Sequence, residues 1–418
     1  MNSHEKAVVA FAAMRAPLLL GRKAIEIASG IAVFVVLARV LDPAEFAAQA
    51  LVLAIADAAR VFGLPGLGNA QAQGIARGAG GGYRRAIAIS AAGAILGAAL
   101  LAAAAALLGD ADRALVSTAL MAIAAAFLPW AGLTFWRNAA VGLDRYDVLF
   151  VADASGAVVR AGAVVACALA FEEPFLPVVL ATVIVPGACN VLGILWSLRA
   201  VPRTGLEEAG ATRYGVEVSV YELPALLAQN LDRLLLYWFV SPEALAVYVV
   251  ALRVPSLLQA AVGEAIASLD PLLARTRRFG RDLKRVSLAA SVMLAGACAF
   301  TALVVVPWLL PVLAGERYMD AIPYAQIMTA GVAVGMLGRL QFRFVRAQLD
   351  AATFLHLVLA RAGISIATML ALVASLGVLG AALAFVLRDL FASLATAAIV
   401  GARYGKASRE PDNGGEGS

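Results

Sequence analysis

Charged residues are scarce in this chain of 418 residues, where Asp, Glu, Lys and Arg together make up only 15%. In soluble globular domains about a quarter of the residues are charged. Hydrophobic residues reach 62% of the chain, which is more than a soluble fold of this length can bury. We therefore predict an integral membrane protein, in which lipid covers the excess apolar surface.

Cysteine and histidine are also too few and too scattered to build a metal centre or a disulfide framework. The three cysteines, Cys167, Cys189 and Cys298, fall inside apolar runs without metal-ligand spacing. The two histidines, His4 and His356, belong to no metal motif, and no nucleophile elbow or P-loop is present. We expect no metal, no other cofactor and no catalytic residues.

Lysine is rare as well, since Lys6, Lys23, Lys284 and Lys406 are the only examples. The formal net charge of +5 therefore comes mainly from arginine. These basic residues are distributed between apolar runs and do not form one patch, which argues against a nucleic-acid partner.

Long apolar runs dominate what is present. A transmembrane helix requires about 20 predominantly apolar residues. The first apolar stretch, 7–20, is interrupted by Arg15 and Pro17, and we predict a short interfacial helix there. Twelve later runs predict transmembrane helices at residues 24–40, 46–64, 86–108, 115–135, 148–170, 175–198, 216–239, 245–269, 286–313, 322–340, 354–376 and 378–400.

The loops between these runs alternate in charge. Arginines concentrate in every second loop, for example Arg84 and Arg85, then Arg137 and Arg145, whereas the intervening loops are mostly acidic. Because cytoplasmic loops are enriched in Lys and Arg, this alternation predicts an even number of spans with both termini in the cytoplasm. We expect the polar tail, 403–418, to be cytoplasmic and disordered.

The longest internal polar segment, 199–215, predicts a cytoplasmic linker between two lobes of six helices, 1–198 and 216–402. A short repeat supports this division: LDPAEFAAQALVLA at 41–54 corresponds to VSPEALAVYVVALR at 240–253. In both, Pro suits the first position of a helix, and the Glu that follows complements the positive end of the helix dipole. The predicted fold is therefore an all-α membrane bundle of two six-helix lobes around a central cavity.

Ionisable residues inside the predicted spans are costly in lipid and usually face a cavity or a partner. Some have the spacing of intrahelical ion pairs, such as Arg22 with Glu26 and Asp57 with Arg60, and that structural interpretation stays open. Asp153 aligns with Arg160 two turns later, and Arg388 adjoins Asp389 near the middle of the last span. Because the charges form stripes on spans one, two, seven and eight, we favour a polar cavity.

Arginine recognises phosphate through a planar fork of N–H donors, so an anionic pyrophosphate headgroup would suit this cavity. The predicted pyrophosphate-binding residues are Arg22, Arg60, Arg233 and Arg253. Carboxylates on the same spans could bind or exchange a coupling cation, a proton or sodium; these are Glu26, Asp57, Glu222, Asp232 and Glu264. A cationic drug would instead require carboxylates without neighbouring arginines.

Four segments resemble the oligosaccharide-lipid (O-antigen type) flippases of the multidrug/oligosaccharidyl-lipid/polysaccharide (MOP) superfamily, in the order expected for that family. Residues 37–70 resemble its first two helices, and residues 225–260, with ALLAQNLDRLLLYWF, resemble the seventh and eighth. Residues 315–328 (GERYMDAIPYAQIM) resemble the connection between the ninth and tenth helices, and residues 377–391 (GVLGAALAFVLRDLF) resemble the last helix. Ala47 and Ala246 replace the glycine that commonly follows the turn in the family.

The resemblance implies a fold like that of the multidrug and toxic compound extrusion (MATE) transporters, with alternating access of the two lobes. It implies export of undecaprenyl-pyrophosphate-linked oligosaccharide across the bacterial inner membrane for surface polysaccharide synthesis. The expected partners are membrane lipids and polysaccharide polymerase machinery. By helix correspondence, the family's cavity arginines match Arg22, Arg60 and Arg253.

Three other functions remain as alternatives. A multidrug/cation antiporter of the same superfamily would share the fold. A membrane glycan polymerase or ligase is disfavoured, because such enzymes usually have a long external loop and every predicted external loop here is short. A non-transporting scaffold would be a sealed bundle without a solvated cavity.

Overall fold

The computed structural model describes residues 3–109, 113–202, 207, 210–267, 281–347 and 351–404, and these residues are almost entirely helical. Short 3₁₀ or π-helical turns interrupt several of the spans. The helices are α1 (Ser3–Val40), α2 (Pro43–Ala59), α3 (Pro65–Ala76), α4 (Tyr83–Leu107), α5 (Ala114–Phe127), α6 (Trp136–Gly142), α7 (Tyr146–Ala170), α8 (Phe175–Ala200), α9 (Ala211–Phe239), α10 (Pro242–Ala267), α11 (Arg281–Phe300), α12 (Val306–Ala314), α13 (Ala321–Ala347) and α14 (Ala351–Tyr404).

Within these residues, eight helical stretches are long and apolar enough to cross a membrane. One of them, Thr353–Ala402, is 50 residues long and contains both of the last two predicted spans. Helices α1, α9 and α13 coincide with three further predicted spans. The predicted all-α membrane fold is confirmed, and the helices are consistent with a count of twelve spans.

The last two spans meet at Gly377 inside α14. This residue has φ 57° and ψ −129°, a conformation that no L-amino acid side chain tolerates well. A side chain at Gly380 would collide with the carbonyl oxygen of Leu372, so the two segments pass each other closely. The structure therefore places the break at the position where the sequence predicts the boundary between 354–376 and 378–400.

The repeated proline turns begin α2 and α10, as predicted. Asp42 caps α2 by accepting a hydrogen bond from the backbone N–H of Glu45 at 2.7 Å, while the Glu45 carboxylate accepts one from the backbone N–H of Asp42 at 3.2 Å. This reciprocal arrangement is a capping box. Ser241 caps α10 more simply, since its Oγ accepts from the backbone N–H of Ala244 at 3.1 Å.

Two spans of the N-terminal half are broken in ways that the apolar runs do not indicate. The second span passes through a 3₁₀ turn, Arg60–Gly63, and a left-handed residue, Leu64, before continuing as α3. The fourth contains a π-helical turn, Leu128–Gly132, and continues through α6. The buried hydroxyl of Ser90 lies 2.6 Å from the carbonyl oxygen of Gly63 and 3.1 Å from that of Gly132, so it donates to the freed backbone groups of both turns.

The chain divides into two compact units, Met1–Leu226 and Leu227–Ser418, and the division falls inside α9. The predicted lobes at 1–198 and 216–402, joined by the linker 199–215, stay a prediction. In unit 1, a core of fully buried Trp136 and Tyr83 packs with Phe135, Leu67 and other apolar residues of α3, α4, α6, α7 and α8. In unit 2, α13 packs along α14.

Several predicted features lie outside the described residues. They are part of the linker, 203–206 and 208–209, the basic loop that contains Arg275, Arg277 and Arg278, and the tail from 405. Near the linker, Glu207 forms a β-bridge with Gly80, and its carboxylate accepts a hydrogen bond from Thr212 at 3.0 Å.

Candidate functional site

In unit 1, four helices bring their polar side chains together around Asp153, whose side chain is only 7% exposed. Arg22 on α1 donates from Nη1 to Oδ2 of Asp153 at 3.0 Å. Arg137 on α6 donates from Nε to Oδ1 at 2.9 Å and from Nη1 to Oδ1 of Asn190 on α8 at 2.7 Å. We call Arg22, Arg137, Asp153, Asn190 and Trp136 the Asp153 cluster; two guanidinium groups here share one carboxylate.

Trp136 and Asn190 fix the position of Arg137. The guanidinium carbon of Arg137 lies 4.6 Å from the centre of the Trp136 ring, and the indole N–H donates to Oδ1 of Asn190 at 3.1 Å. The amide N–H₂ of Asn190 donates to the carbonyl oxygens of Pro129 and Trp130, at 3.1 and 3.0 Å. Since these carbonyls belong to the π-helical turn, the irregular backbone and the Arg137 side chain are held by the same amide.

The second predicted arginine of unit 1, Arg60, has different partners. Its Nη1 lies 3.4 Å from Oδ1 of Asp57 one turn earlier, and its guanidinium lies 5.2 Å from the ring centre of Trp130. With side-chain exposures of 48% for Arg60 and 45% for Asp57, this pair is accessible. Arg60 can therefore contact a ligand from the exposed position that it already occupies.

Glu26, a predicted coupling residue, is engaged within α1. Its carboxylate lies 3.2 Å from Nζ of Lys23 and 3.8 Å from Nε of Arg22. The intrahelical ion pairs that the sequence left open thus form at Arg22–Glu26 and Arg60–Asp57. Asp153, by contrast, pairs with Arg22 and Arg137 and not with Arg160.

In unit 2, Asp232 on α9 is 4% exposed and lies against Tyr248 on α10. The Tyr248 hydroxyl, itself fully buried, donates to Oδ2 of Asp232 at 2.6 Å. The backbone N–H of Arg233 donates to Oδ1 at 2.8 Å. Of the predicted coupling carboxylates, Asp232 is the one shown as buried and held on both oxygens.

The remaining predicted residues lie on the same two helices. Arg233 is on α9 with its Nε buried and without a hydrogen-bond partner, and Glu222 is partly buried nearer the start of that helix. Arg253 is on α10 and is partly buried. Glu264 is also on α10, but its side chain lies outside the described residues.

A second group of unit 2 surrounds Asp389, whose side chain is 5% exposed. Arg388 donates from Nε to Oδ1 of Asp389 at 3.2 Å, and Nη2 of Arg339 on α13 lies 3.6 Å from Oδ2. Arg361, on the part of α14 before Gly377, stacks over Phe342 at 5.1 Å. We call Arg339, Arg361, Arg388 and Asp389 the Asp389 cluster.

Sequence reasoning missed most of the Asp153 and Asp389 clusters. It assigned Arg137 to a loop; this was wrong, because a separate helix, α6, begins at Trp136 after the π-helical turn and brings Arg137 against Asp153. Arg339 and Arg361 were not singled out, although both lie inside predicted transmembrane segments. Arginine within an apolar run was the available signal.

Among the described residues, no group of three or more His, Cys, Asp or Glu side chains is arranged to hold a metal ion. The chemistry available at these clusters is instead that of guanidinium, carboxylate and phenol groups. Such groups bind and release anions or protons and require no covalent step.

The fold is similar to that of solved MOP-superfamily transporters. A MOP transporter from Pyrococcus furiosus aligns with a TM-score of 0.68 at 13% identity, over 96% of both chains. A MATE transporter in an outward-facing conformation gives 0.66 at 12% identity, over 96% of both chains. A Vibrio cholerae MATE transporter in a bent form gives 0.62 at 14% identity, over 95% of this chain and 98% of that one.

The family model described as "Polysaccharide biosynthesis protein" matches residues 36–323. That match covers more than half of the chain, so the chain belongs to this family, and the resemblance to the MOP flippases is confirmed. No curated protein matches the chain significantly. Since the family and the structural neighbours are transporters, the chain is a multi-pass membrane transporter and not a glycan polymerase or ligase.

Proposed function

We propose that this protein is a flippase that moves an undecaprenyl-pyrophosphate-linked oligosaccharide across the bacterial inner membrane for surface polysaccharide synthesis. The oligosaccharide and its pyrophosphate would be carried through the protein by alternating access of two lobes, while the lipid tail stays in the bilayer. Polysaccharide polymerase machinery would take the product. Both termini would lie in the cytoplasm.

The observation that carries this proposal is that arginines outnumber carboxylates in two clusters of side chains held between helices. Arg22 and Arg137 share Asp153, and the Asp389 cluster contains three arginines for one carboxylate. Arginine binds phosphate oxygens through two parallel N–H donors, which makes it the side chain best suited to a pyrophosphate. A site for an organic cation would require the opposite ratio.

Asp153 then acts as an internal counter-ion for Arg22. Before substrate binds, its single negative charge offsets part of the charge of two guanidinium groups that would otherwise be costly within the membrane. A pyrophosphate that approaches Arg22 would compete with Asp153 for the same N–H donors. The more exposed Arg60 would be the first contact, and Arg233 and Arg253 of unit 2 are the further proposed pyrophosphate-binding residues.

A coupling cation, where one is used, would act at Asp232. This carboxylate is buried and receives hydrogen bonds from Tyr248 and from the backbone of Arg233. Glu26 and Asp57 are already paired with basic residues, so they are weaker candidates. One charge that crosses the membrane potential supplies about 2.3 kcal/mol per 100 mV.

One structural neighbour bears on the choice of substrate. The Pyrococcus furiosus protein is described as a MOP superfamily transporter in which "reverse polarity of binding pocket suggests different function". In this chain, the arginine-rich clusters favour an anionic substrate over a cationic drug.

Reconstitution into proteoliposomes tests the proposal directly. We expect a fluorescent undecaprenyl-pyrophosphate oligosaccharide to become accessible on the far leaflet when the purified protein is present. Deletion of the gene should abolish surface polysaccharide and leave the lipid-linked intermediate in the inner membrane. Drug efflux without flipping of the lipid-linked oligosaccharide would replace the proposal with the multidrug antiporter alternative.

A further inference from the structure

The Asp389 cluster lies on helices that pack unusually closely. Side chains added at Gly331 and Gly335 of α13 would meet Val386 and the carboxylate of Asp389, within 2.9 and 2.6 Å. Gly338 is equally close to Ser393, whose hydroxyl donates to the carbonyl oxygen of Val334 at 3.3 Å. Gly331, Gly335 and Gly338 form what we call the glycine face of α13. It lets Asp389 pack against the α13 backbone and brings Arg339 beside Arg388.

One carboxylate carries too little charge to balance the guanidinium groups of Arg339 and Arg388 beside it and that of Arg361, which interacts electrostatically with all three. Arg388 contacts Asp389 through Nε alone, and the 3.6 Å separation from Arg339 is longer than a hydrogen bond. Neither arginine forms the two-point contact that guanidinium groups make with a well-placed carboxylate. Arg361 makes no ion pair or hydrogen bond among the described residues and contacts the face of Phe342.

The described acidic group nearby is matched by a further arginine. Arg388 interacts electrostatically with Tyr248, whose hydroxyl donates to the buried Asp232 carboxylate. Arg233 interacts with Tyr248 as well, so among the described residues this added acid is balanced by an added arginine. The side chains of Arg339 and Arg388 are 20% and 19% exposed, so both are partly open to their surroundings.

We propose that Arg339, Arg361 and Arg388 form an anion-binding site inside unit 2, with Asp389 as the internal competitor for the same donors. The ligand class is a carboxylate or phosphate group, because guanidinium N–H donors bind both. In transport, this site would hold an acidic sugar or a phosphate of the substrate; that role rests on the proposed flippase function. Anion binding itself does not.

Binding to the purified full chain in detergent provides the test, with sodium glucuronate and sodium pyrophosphate as the two probes and methyl glucoside as the neutral control. Isothermal titration should show binding of at least one anion and no binding of methyl glucoside. Arg361→Gln should weaken that binding about tenfold or more, because one charge-assisted contact is lost. Arg317→Gln, outside the cluster in the same unit, should bind as the wild type does.

Asp389→Asn provides a test in the opposite direction. Removing the competing carboxylate should strengthen anion binding, an effect that misfolding cannot imitate. Loss of glucuronate binding in Arg361→Gln would identify a sugar carboxylate as the ligand, and loss of pyrophosphate binding would identify the phosphate. Absence of anion binding by the wild type, equal binding by Arg361→Gln, or unchanged or weaker binding by Asp389→Asn would overturn the proposal.

Because these measurements need no lipid substrate, failure of the anion site and failure of the flippase proposal are distinguishable. Anion binding in detergent without flipping of the lipid-linked oligosaccharide would support the anion site and overturn the flippase proposal. Flipping by the wild type together with unaltered anion binding in Arg361→Gln would support the flippase proposal and overturn the anion site. If Arg361→Gln does not fold, Asp389→Asn decides alone.

Discussion

Arg22 and Asp153 are separated by 131 residues in sequence, yet Nη1 of the arginine lies 3.0 Å from Oδ2 of the aspartate. The contact joins the first and seventh helices, which pack along each other in unit 1. Arg137 occupies the other oxygen of the same carboxylate at 2.9 Å. One acidic side chain therefore links α1, α6 and α7, and under the proposed function it would also control how Arg22 meets the substrate.

Replacing Asp153 with Asn should destabilise unit 1 and reduce transport. Removal of one partner from a largely buried ion pair costs about 3–5 kcal/mol, and because both arginines are partly exposed we expect about 1–3 kcal/mol here. Chemical unfolding in detergent measures the change. Asp147→Asn, on the same helix but in an exposed pair with Arg145, should change the free energy of unfolding by less than about 1 kcal/mol. Equal losses in the two variants would contradict this assignment.

Neutralising Arg60 or Arg253 with Gln should abolish surface polysaccharide while the protein remains in the membrane. Each substitution removes a guanidinium group proposed to meet the pyrophosphate, and we expect at least about a tenfold loss of flipping. Immunoblots of membrane fractions and polysaccharide gels make the comparison, with Arg317→Gln as the control. Wild-type polysaccharide in both variants would remove these residues from the proposed site.

Gly193→Ala should disrupt the Asp153 cluster indirectly. A Cβ atom at Gly193 would lie 2.4 Å from the Trp136 ring, so the indole must move and release Asn190. Overpacking of this kind typically costs about 1–3 kcal/mol. Gly162→Ala, on a helix with nothing within 4 Å of the new atom, should instead be neutral or stabilising by up to about 1 kcal/mol. Thermal unfolding of both variants compares them, and a tolerated Gly193→Ala would show that Trp136 is not held as described.

Tyr248→Phe should lower stability by about 1–3 kcal/mol, because it leaves the buried Asp232 carboxylate without its side-chain donor. If Asp232 binds the coupling ion, the same variant should also change how flipping depends on an imposed proton or sodium gradient. Tyr214→Phe, at an exposed position, should change neither property. Unaltered stability and gradient dependence in Tyr248→Phe would argue against Asp232 as the coupling residue.

Reporter fusions test the predicted orientation. Green fluorescent protein joined after Tyr404 should fluoresce, because we place that end in the cytoplasm. Alkaline phosphatase inserted between Glu172 and Glu173 should be active, because we place that turn outside. The opposite pattern would invert the topology.

Local signals account for what the sequence predicted well. The length of an apolar run, the prolines at Pro43 and Pro242, and the glycine at Gly377 each act within a few residues, and the spans follow from them. The partners of Asp153 could not be predicted in this way. They come from α1, α6 and α8, and only the packing of these helices brings them within hydrogen-bonding distance.

The broken helices illustrate the same limit. Leu64 adopts a left-handed conformation that leucine seldom takes, and Pro65 next to it is a weak signal of that break. The arginines of the Asp389 cluster are visible in the sequence as charged residues within apolar runs. Their convergence depends on the bend at Gly377 and on the glycine face of α13, which no periodicity within one span reveals.

The π-helical turn at Leu128–Gly132 has a consequence for comparing sequences across the family. A π turn adds one residue to the path of the chain between α5 and α6. A relative without this turn would align correctly before residue 128 and present a different side chain at the place of Arg137. Gaps of one residue placed here, and not in the loop that follows, will match equivalent faces of the helix.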